Sequence, residues 1–148
     1  QQKIFNAATS GSLTVLGSTT YLFDCAVNMS SMNATSGNFK FDILGAGTAT
    51  LTSVAWWAVG LDASTPATGA AVGGSFSAVT PGTANVVTAA TGTSVAVWIK
   101  GIIRVNGAGT IIPSCALITA QTAVVGVNSF LALRPIGTNT VTTVGPWT

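Results

Sequence analysis

The chain contains no glutamate and no histidine, and only five of its 148 residues are Lys or Arg. That shortage of long charged side chains limits its fold more than anything else in the sequence. A helix on the surface of a soluble domain needs a solvated charged face, with apolar residues recurring at i, i+3 and i+4 on the other. No window of this chain sustains that spacing. Apolar residues alternate instead. Phe39-Lys40-Phe41-Asp42-Ile43 puts two aromatics and an isoleucine on one side, with Lys40 and Asp42 on the other. From Tyr21 to Asn28, one face collects Tyr21, Phe23, Cys25 and Val27. A period of two is the mark of a half-buried strand.

Further strands follow. Thr48 to Leu61 reads as a long one, with Leu51, Ala55, Trp57 and Val59 on one side and Trp56 on the other, beside Thr50, Thr52 and Val54. Apolar bulk on both faces suits a strand covered twice, either central in a sandwich or beneath a neighbouring subunit. Asp62 to Ala84 holds Pro66, Gly69, Gly73, Gly74, Pro81 and Gly82; it reads as a long loop with a short strand near Phe76. Ser94 to Val105 sets Val95, Val97, Ile99 and Ile103 against Trp98, Lys100 and Arg104. Asn106-Gly107-Ala108-Gly109 then predicts a hairpin into Thr110 to Ile118, where Pro113 marks an edge or a bulge. Asn128 to Ile136 and Thr138 to Val144 close the chain as two strands turning at Pro135-Ile136-Gly137.

The expected fold is therefore all-β: an antiparallel β-sandwich, jelly-roll-like, of about seven or eight strands. Residues 12–148 form one domain, and residues 1–11 form an N-terminal arm or an edge strand. Ile4 and Phe5 sit beside Lys3 with no alternating run to bury them, which makes them candidates for a docking arm; the competing reading is an edge strand of the same domain.

Charged residues are 5% of the chain, against roughly 25% in ordinary soluble domains. Apolar residues, at 48%, are not in excess, so Thr, Ser, Gly and Ala take the place of the charges. Such a surface costs little to desolvate and lacks the mixed charges that keep monomers apart. It suits burial against another copy of the chain, with Trp56 and Trp98 as candidate subunit-interface anchors. The cations Lys3, Lys40, Lys100, Arg104 and Arg134 are scattered, whereas nucleic-acid binding wants them clustered. The longest apolar run, Val54 to Leu61, is far shorter than the roughly 18 residues of a membrane span. No signal peptide begins at Gln1, which points to a cytosolic or an already processed product.

Chemistry is sparse. Without His or Glu, side-chain carboxylates come from Asp24, Asp42 and Asp62 alone, each read as a strand or loop charge rather than a catalytic group. Gly107-Ala108-Gly109 lacks the lysine and following helix of a phosphate loop. Cys25 and Cys115 lie in alternating runs and read as buried thiols, with a single disulfide as the alternative. With no His and no CxxC spacing, neither a metal nor a cofactor is expected. Asn28-Met29-Ser30 and Asn33-Ala34-Thr35 match the glycosylation sequon, a common accident in a Ser/Thr-rich chain. The expectation is a non-enzymatic protein.

Four stretches carry a resemblance: Thr19-Thr20-Tyr21-Leu22-Phe23-Asp24-Cys25, the segment Met29 to Asn38, Arg104-Val105-Asn106-Gly107-Ala108-Gly109-Thr110-Ile111-Ile112-Pro113, and the closing run Asn128 to Thr148. Together they resemble a module of tailed-bacteriophage virion proteins, the family of capsid decoration proteins and head- or tail-fibre C-terminal β-modules. The resemblance extends from about Phe5 onward. The ending Gly145-Pro146-Trp147-Thr148 departs slightly from the family's usual Gly-Asn-Trp-Ser. It implies a structural role on the particle surface after assembly in the bacterial cytoplasm, and a homotrimer with no catalytic residues. Implied partners are copies of the chain, a major capsid or other virion protein and, on a fibre, a host surface glycan. The module often ends a longer fibre protein; here it stands nearly alone, which favours a cement or short head-fibre protein. Two other readings are a carbohydrate- or receptor-binding module, with Trp56, Trp57 or Trp98 stacking on a sugar, and a secreted filament or pilus subunit.

Overall fold

Alternating runs become strands because a pleated backbone sends successive side chains to opposite faces. The computed structural model describes residues 2–5, 11–32, 39–44, 46–62, 71–78, 84–87, 94–117 and 122–140. They form twelve strands: β1 (Gln2–Lys3), β2 (Leu13–Val15), β3 (Thr19–Ser30), β4 (Phe39–Asp42), β5 (Thr50–Asp62), β6 (Ala71–Ala78), β7 (Ala84–Val87), β8 (Val95–Gly107), β9 (Gly109–Ile111), β10 (Ser114–Leu117), β11 (Val124–Val125) and β12 (Phe130–Thr138). No helix occurs among the described residues. The fold is an all-β sandwich with more strands than expected, since pieces of two or three residues are too short to show alternation.

One layer is a six-stranded antiparallel sheet, with β11, β3, β8, β5 and β6 in order and β12 also pairing with β3. The other has four strands in the order β1-β10-β4-β7, and β2 and β9 make a small third sheet. Between the layers, Phe41 of β4 stacks on Phe23 of β3 at 6.4 Å and meets the Trp56 ring edge-on at 5.7 Å. Gly101 makes this possible. It lies directly across from Phe23 on one side and Trp56 on the other, in a row where β8 otherwise turns Val97, Ile99 and Ile103 inward. A Cβ at Gly101 would run into the Phe23 ring and the Ala55 carbonyl, and would lie 2.7 Å from the Trp56 Cβ. The missing side chain leaves two large rings room to lean together beneath Phe41.

Several expectations are corrected. Asn106 to Gly109 is no hairpin: β8 stays in the six-stranded sheet while β9 pairs with β2, so the chain changes sheets there. Gly109 is required for close approach, because a Cβ would lie 2.5 Å from the Ala49 nitrogen. The stretch read as a long loop contains β6, eight residues paired along β5; Pro66, Gly69, Pro81 and Gly82 lie outside the described residues. Pro135-Ile136-Gly137 is not a turn but a bulge within β12, where the register on β3 slips between Pro135 and Gly137. A proline is tolerated on an edge strand, and among the described residues β12 pairs with β3 alone. Most of the strand expected over Thr138 to Val144 lies outside the described residues, as do Asn33 and the Gly145 to Thr148 ending. Asp42, expected to face solvent, is buried and accepts the Leu44 N–H at 3.1 Å.

The N-terminal segment belongs to the fold. β1 is an edge strand on β10, the Ile4 N–H donates to the Pro113 carbonyl at 3.0 Å, and Ile4 is 5% exposed within the main core. Phe5 packs against the same core, partly buried. A docking arm at Ile4 and Phe5 is therefore corrected to the edge-strand alternative: the β10 edge supplies the partner that the local sequence did not reveal. Residues 6–10 lie outside the described residues.

Candidate functional site

The long strands of the six-stranded sheet alternate as the sequence led one to expect, and β8 does so almost without exception from Val95 to Asn106. Their inward residues meet the four-stranded layer. No strand among the described residues lies over their outward residues, yet many of these are apolar. Trp57, Val59, Trp98, Ile102 and Phe130 are all exposed, Trp57 at 52% and Trp98 at 49%.

Strand register sets these side chains in a grid. One row reads Phe130, Ala26, Trp98, Val59 across β12, β3, β8 and β5. The next reads Ala132, Asp24, Lys100, Trp57, and the third Arg134, Leu22, Ile102, Ala55. Ala26 is only 6% exposed although it faces outward, as expected of a methyl flanked in its row by two aromatic side chains. At about 4.8 Å between strands and about 6.8 Å between rows, the grid covers about 400 Å² in projection, with Asp24, Lys100 and Arg134 set among its apolar side chains.

Charge is sparse here too. Lys100 Nζ lies 3.5 Å from Asp24 Oδ2 in the middle row, both side chains about half exposed, so the pair is worth at most about 1 kcal/mol while water reaches it. Arg104 lies at the end of the face, where its Nη1 donates to the Asn139 carbonyl at 3.3 Å. The Asn139 side-chain amide in turn donates to the Val105 carbonyl at 2.9 Å, which ties the end of β12 across to β8.

Of the two tryptophans expected at an interface, Trp98 stands on this face and Trp56 does not. Trp56 is 2% exposed, in the core between the layers, where no neighbouring subunit can reach it. The correction has a physical cause: Trp56 faces the hollow at Gly101, and its neighbour Trp57 takes the outer side. Phe130 and Ile102 were missed; the outward alternation of β8 and β12 marks them once the inward faces are known.

Asp24 and Asp42 lie on different sheets, one on the outer face of β3 and one buried at the end of β4, so they form no carboxylate pair. Asp62 ends β5. Cys25 and Cys115 are both buried free thiols; burial, with Asp24 adding to it, pushes the Cys25 thiol up to about 12, and burial raises Cys115 as well. No group of three or more potential metal-ligating side chains occurs among the described residues. A hollow of about 200 Å³ is lined by Phe5, Leu13, Pro113 and Phe130, and one of about 350 Å³, at the low end of the roughly 300–1,000 Å³ of ligand pockets, lies between β3 and β12 on the grid itself, lined by Leu22, Asp24, Ala132 and Arg134. The described feature with the most to offer a partner is the grid, which includes this second hollow. Comparison with protein-family models, curated proteins and solved structures finds no match to this chain.

Proposed function

We propose that this chain is a non-enzymatic structural subunit of a bacteriophage particle, a capsid decoration (cement) or short head-fibre protein that packs against copies of itself. The observation that carries the self-packing is the outer face of the long sheet, over which no described strand lies and where Trp57, Val59, Trp98, Ile102 and Phe130 stand exposed, in a chain with only eight charged residues, five basic and three acidic. Large apolar side chains gathered on one exposed face mark interaction sites, and a few aromatic anchors commonly dominate the binding energy at such contacts. The particle and the trimer come from the resemblance of segments such as Thr19 to Cys25 and Arg104 to Pro113 to virion proteins; its partner there is a major capsid or other virion protein.

An antibody raised against the purified chain tests the placement. Gold-labelled antibody should decorate purified phage particles from the source culture, on the head or on fibres. Particles that carry no label and release no such chain on denaturation would remove the virion reading.

One observation favours a second reading. Trp57 and Trp98 sit on neighbouring strands, offset by one row, and both are exposed on the same face of the sheet. Indole faces spaced in this way can stack on sugar rings, so a glycan-binding fibre module is the alternative. Glycan-array binding that disappears in Trp57→Ala and Trp98→Ala would support it over self-packing.

A further inference from the structure

We propose that the outer face of the six-stranded sheet pairs with the same face of a second copy, about a two-fold axis parallel to the strands and above the line between β3 and β8. This rests on the reading of the chain as a self-assembling subunit and names the face that does it. The order of residues in the grid carries the inference. Such a rotation keeps height along the strands and exchanges left for right, so β8 of one copy lies over β3 of the other, and β5 over β12.

The rows then match. Trp98 falls over Ala26, Trp57 over Ala132 and Ile102 over Leu22; Lys100 falls over Asp24; Val59 meets Phe130 and Ala55 meets Arg134. Each indole finds an alanine, each ammonium a carboxylate, and no like charges coincide. Facing sheets interdigitate at a spacing of about 10 Å, so wide side chains need narrow ones opposite. Moving the axis one strand, to the line between β8 and β5, loses the charge match: Lys100 would sit on Trp57, and Asp24 would lie over β6, away from Lys100 of the other copy. In the proposed pairing, Lys100 and Asp24 of the two copies close into a ring of four alternating charges, so neither charge is left alone when water leaves.

The test is the mass of the full chain in solution, by sedimentation equilibrium. A two-fold contact gives an even multiple of the chain mass: two, or six if the implied three-fold assembly forms as well. Asp24→Lys and Lys100→Asp should each halve that mass and weaken association about tenfold or more. Mixed in equal amounts, the two variants should recombine with one another, since each carries the charges that the other lacks; a role confined to one chain cannot produce that rescue. Ala132→Trp tests size rather than charge and should also halve the mass. Circular dichroism melts check that each variant folds, and all three positions are solvent-accessible. An odd multiple, variants that keep the parent mass, or single variants that fail to recombine would overturn the pairing. A wild-type chain that stays monomeric overturns both this and the self-assembling reading, whereas a trimer untouched by all three variants overturns the face alone.

Discussion

Trp56 and Trp57 are consecutive residues of one strand, yet they belong to different physical worlds. Trp56 turns into the hollow at Gly101 and meets Phe41 edge-on at 5.7 Å. Trp57 turns outward beside Lys100 and is half exposed. The inner face owes its apolar side chains to folding, because a second layer of the same chain covers them. The outer face mixes Asp24, Lys100 and Arg134 with Trp57, Val59, Trp98, Ile102 and Phe130, and no described strand lies over it, so folding of the described strands does not account for those large apolar side chains. Comparing the two faces separates what holds the chain together from what the chain holds on to.

The largest expected effect tests that separation directly. Trp56→Ala should cost about 3–5 kcal/mol of unfolding free energy, the usual range for removing a large core aromatic. Trp57→Ala should change the stability of the separated chain by about 0.5 kcal/mol or less while weakening self-association. Urea unfolding at a protein concentration below association measures both. Similar losses for the two variants would break the comparison and place Trp57 in the folding core.

A smaller effect sharpens it. Gly101→Ala should destabilise by about 1–3 kcal/mol, since the new methyl has no room between Phe23 and Trp56. Ile102→Ala, one residue on and facing outward, should cost well under about 1 kcal/mol in the separated chain. Equal costs, read from thermal melts of the two variants, would mean that the inner row yields more easily than its geometry implies.

The sequence made one kind of information plain and hid another. Alternation within a strand is local, so β3, β4 and β8 and most of their buried faces could be read directly; the inward set Val95, Val97, Ile99 and Ile103 is where it was expected. Pairing between strands is not local. Asn106 to Gly109 has the residues of a hairpin turn, but the same residues serve where a chain changes sheets and passes close to Ala49. Pro135 and Gly137 signal a turn and equally signal a bulge on an edge strand. For Trp56 and Trp57, both sides of β5 are apolar, and only the register against Gly101 decides which ring goes in. The site was half legible for the same reason: Trp98 stands out against the polar neighbours Lys100 and Arg104, whereas Phe130 and Ile102 join it only through the order of strands in the sheet.

Cys25 gives the smallest effect at neutral pH and places the comparison on a single pair of neighbours. Asp24 faces outward, paired with Lys100, while Cys25 faces inward and is fully buried. Burial, reinforced by the Asp24 charge, raises the thiol from its ordinary 9.0 to about 12. The sign follows from proton counting. The native state keeps the thiol proton up to about 12, and the unfolded chain releases it near 9.0. Above pH 9 the unfolded chain therefore binds fewer protons, and the native state loses stability by at most about 1.4 kcal/mol per pH unit from this group. Below that window the thiol contributes no pH dependence. Cys25→Ala should cost about 1 kcal/mol near neutral pH, through the lost packing of one small side chain. Its stability should then fall less steeply than that of the wild type as pH rises from about 9 to about 12, so that the two curves meet about one unit above pH 9 and then cross. Every other group is common to the two proteins and cancels in the difference. Parallel curves across that range, measured by urea unfolding at stepped pH, would mean that water reaches the thiol and that the inner face beside Asp24 is less sealed than the outer face is open.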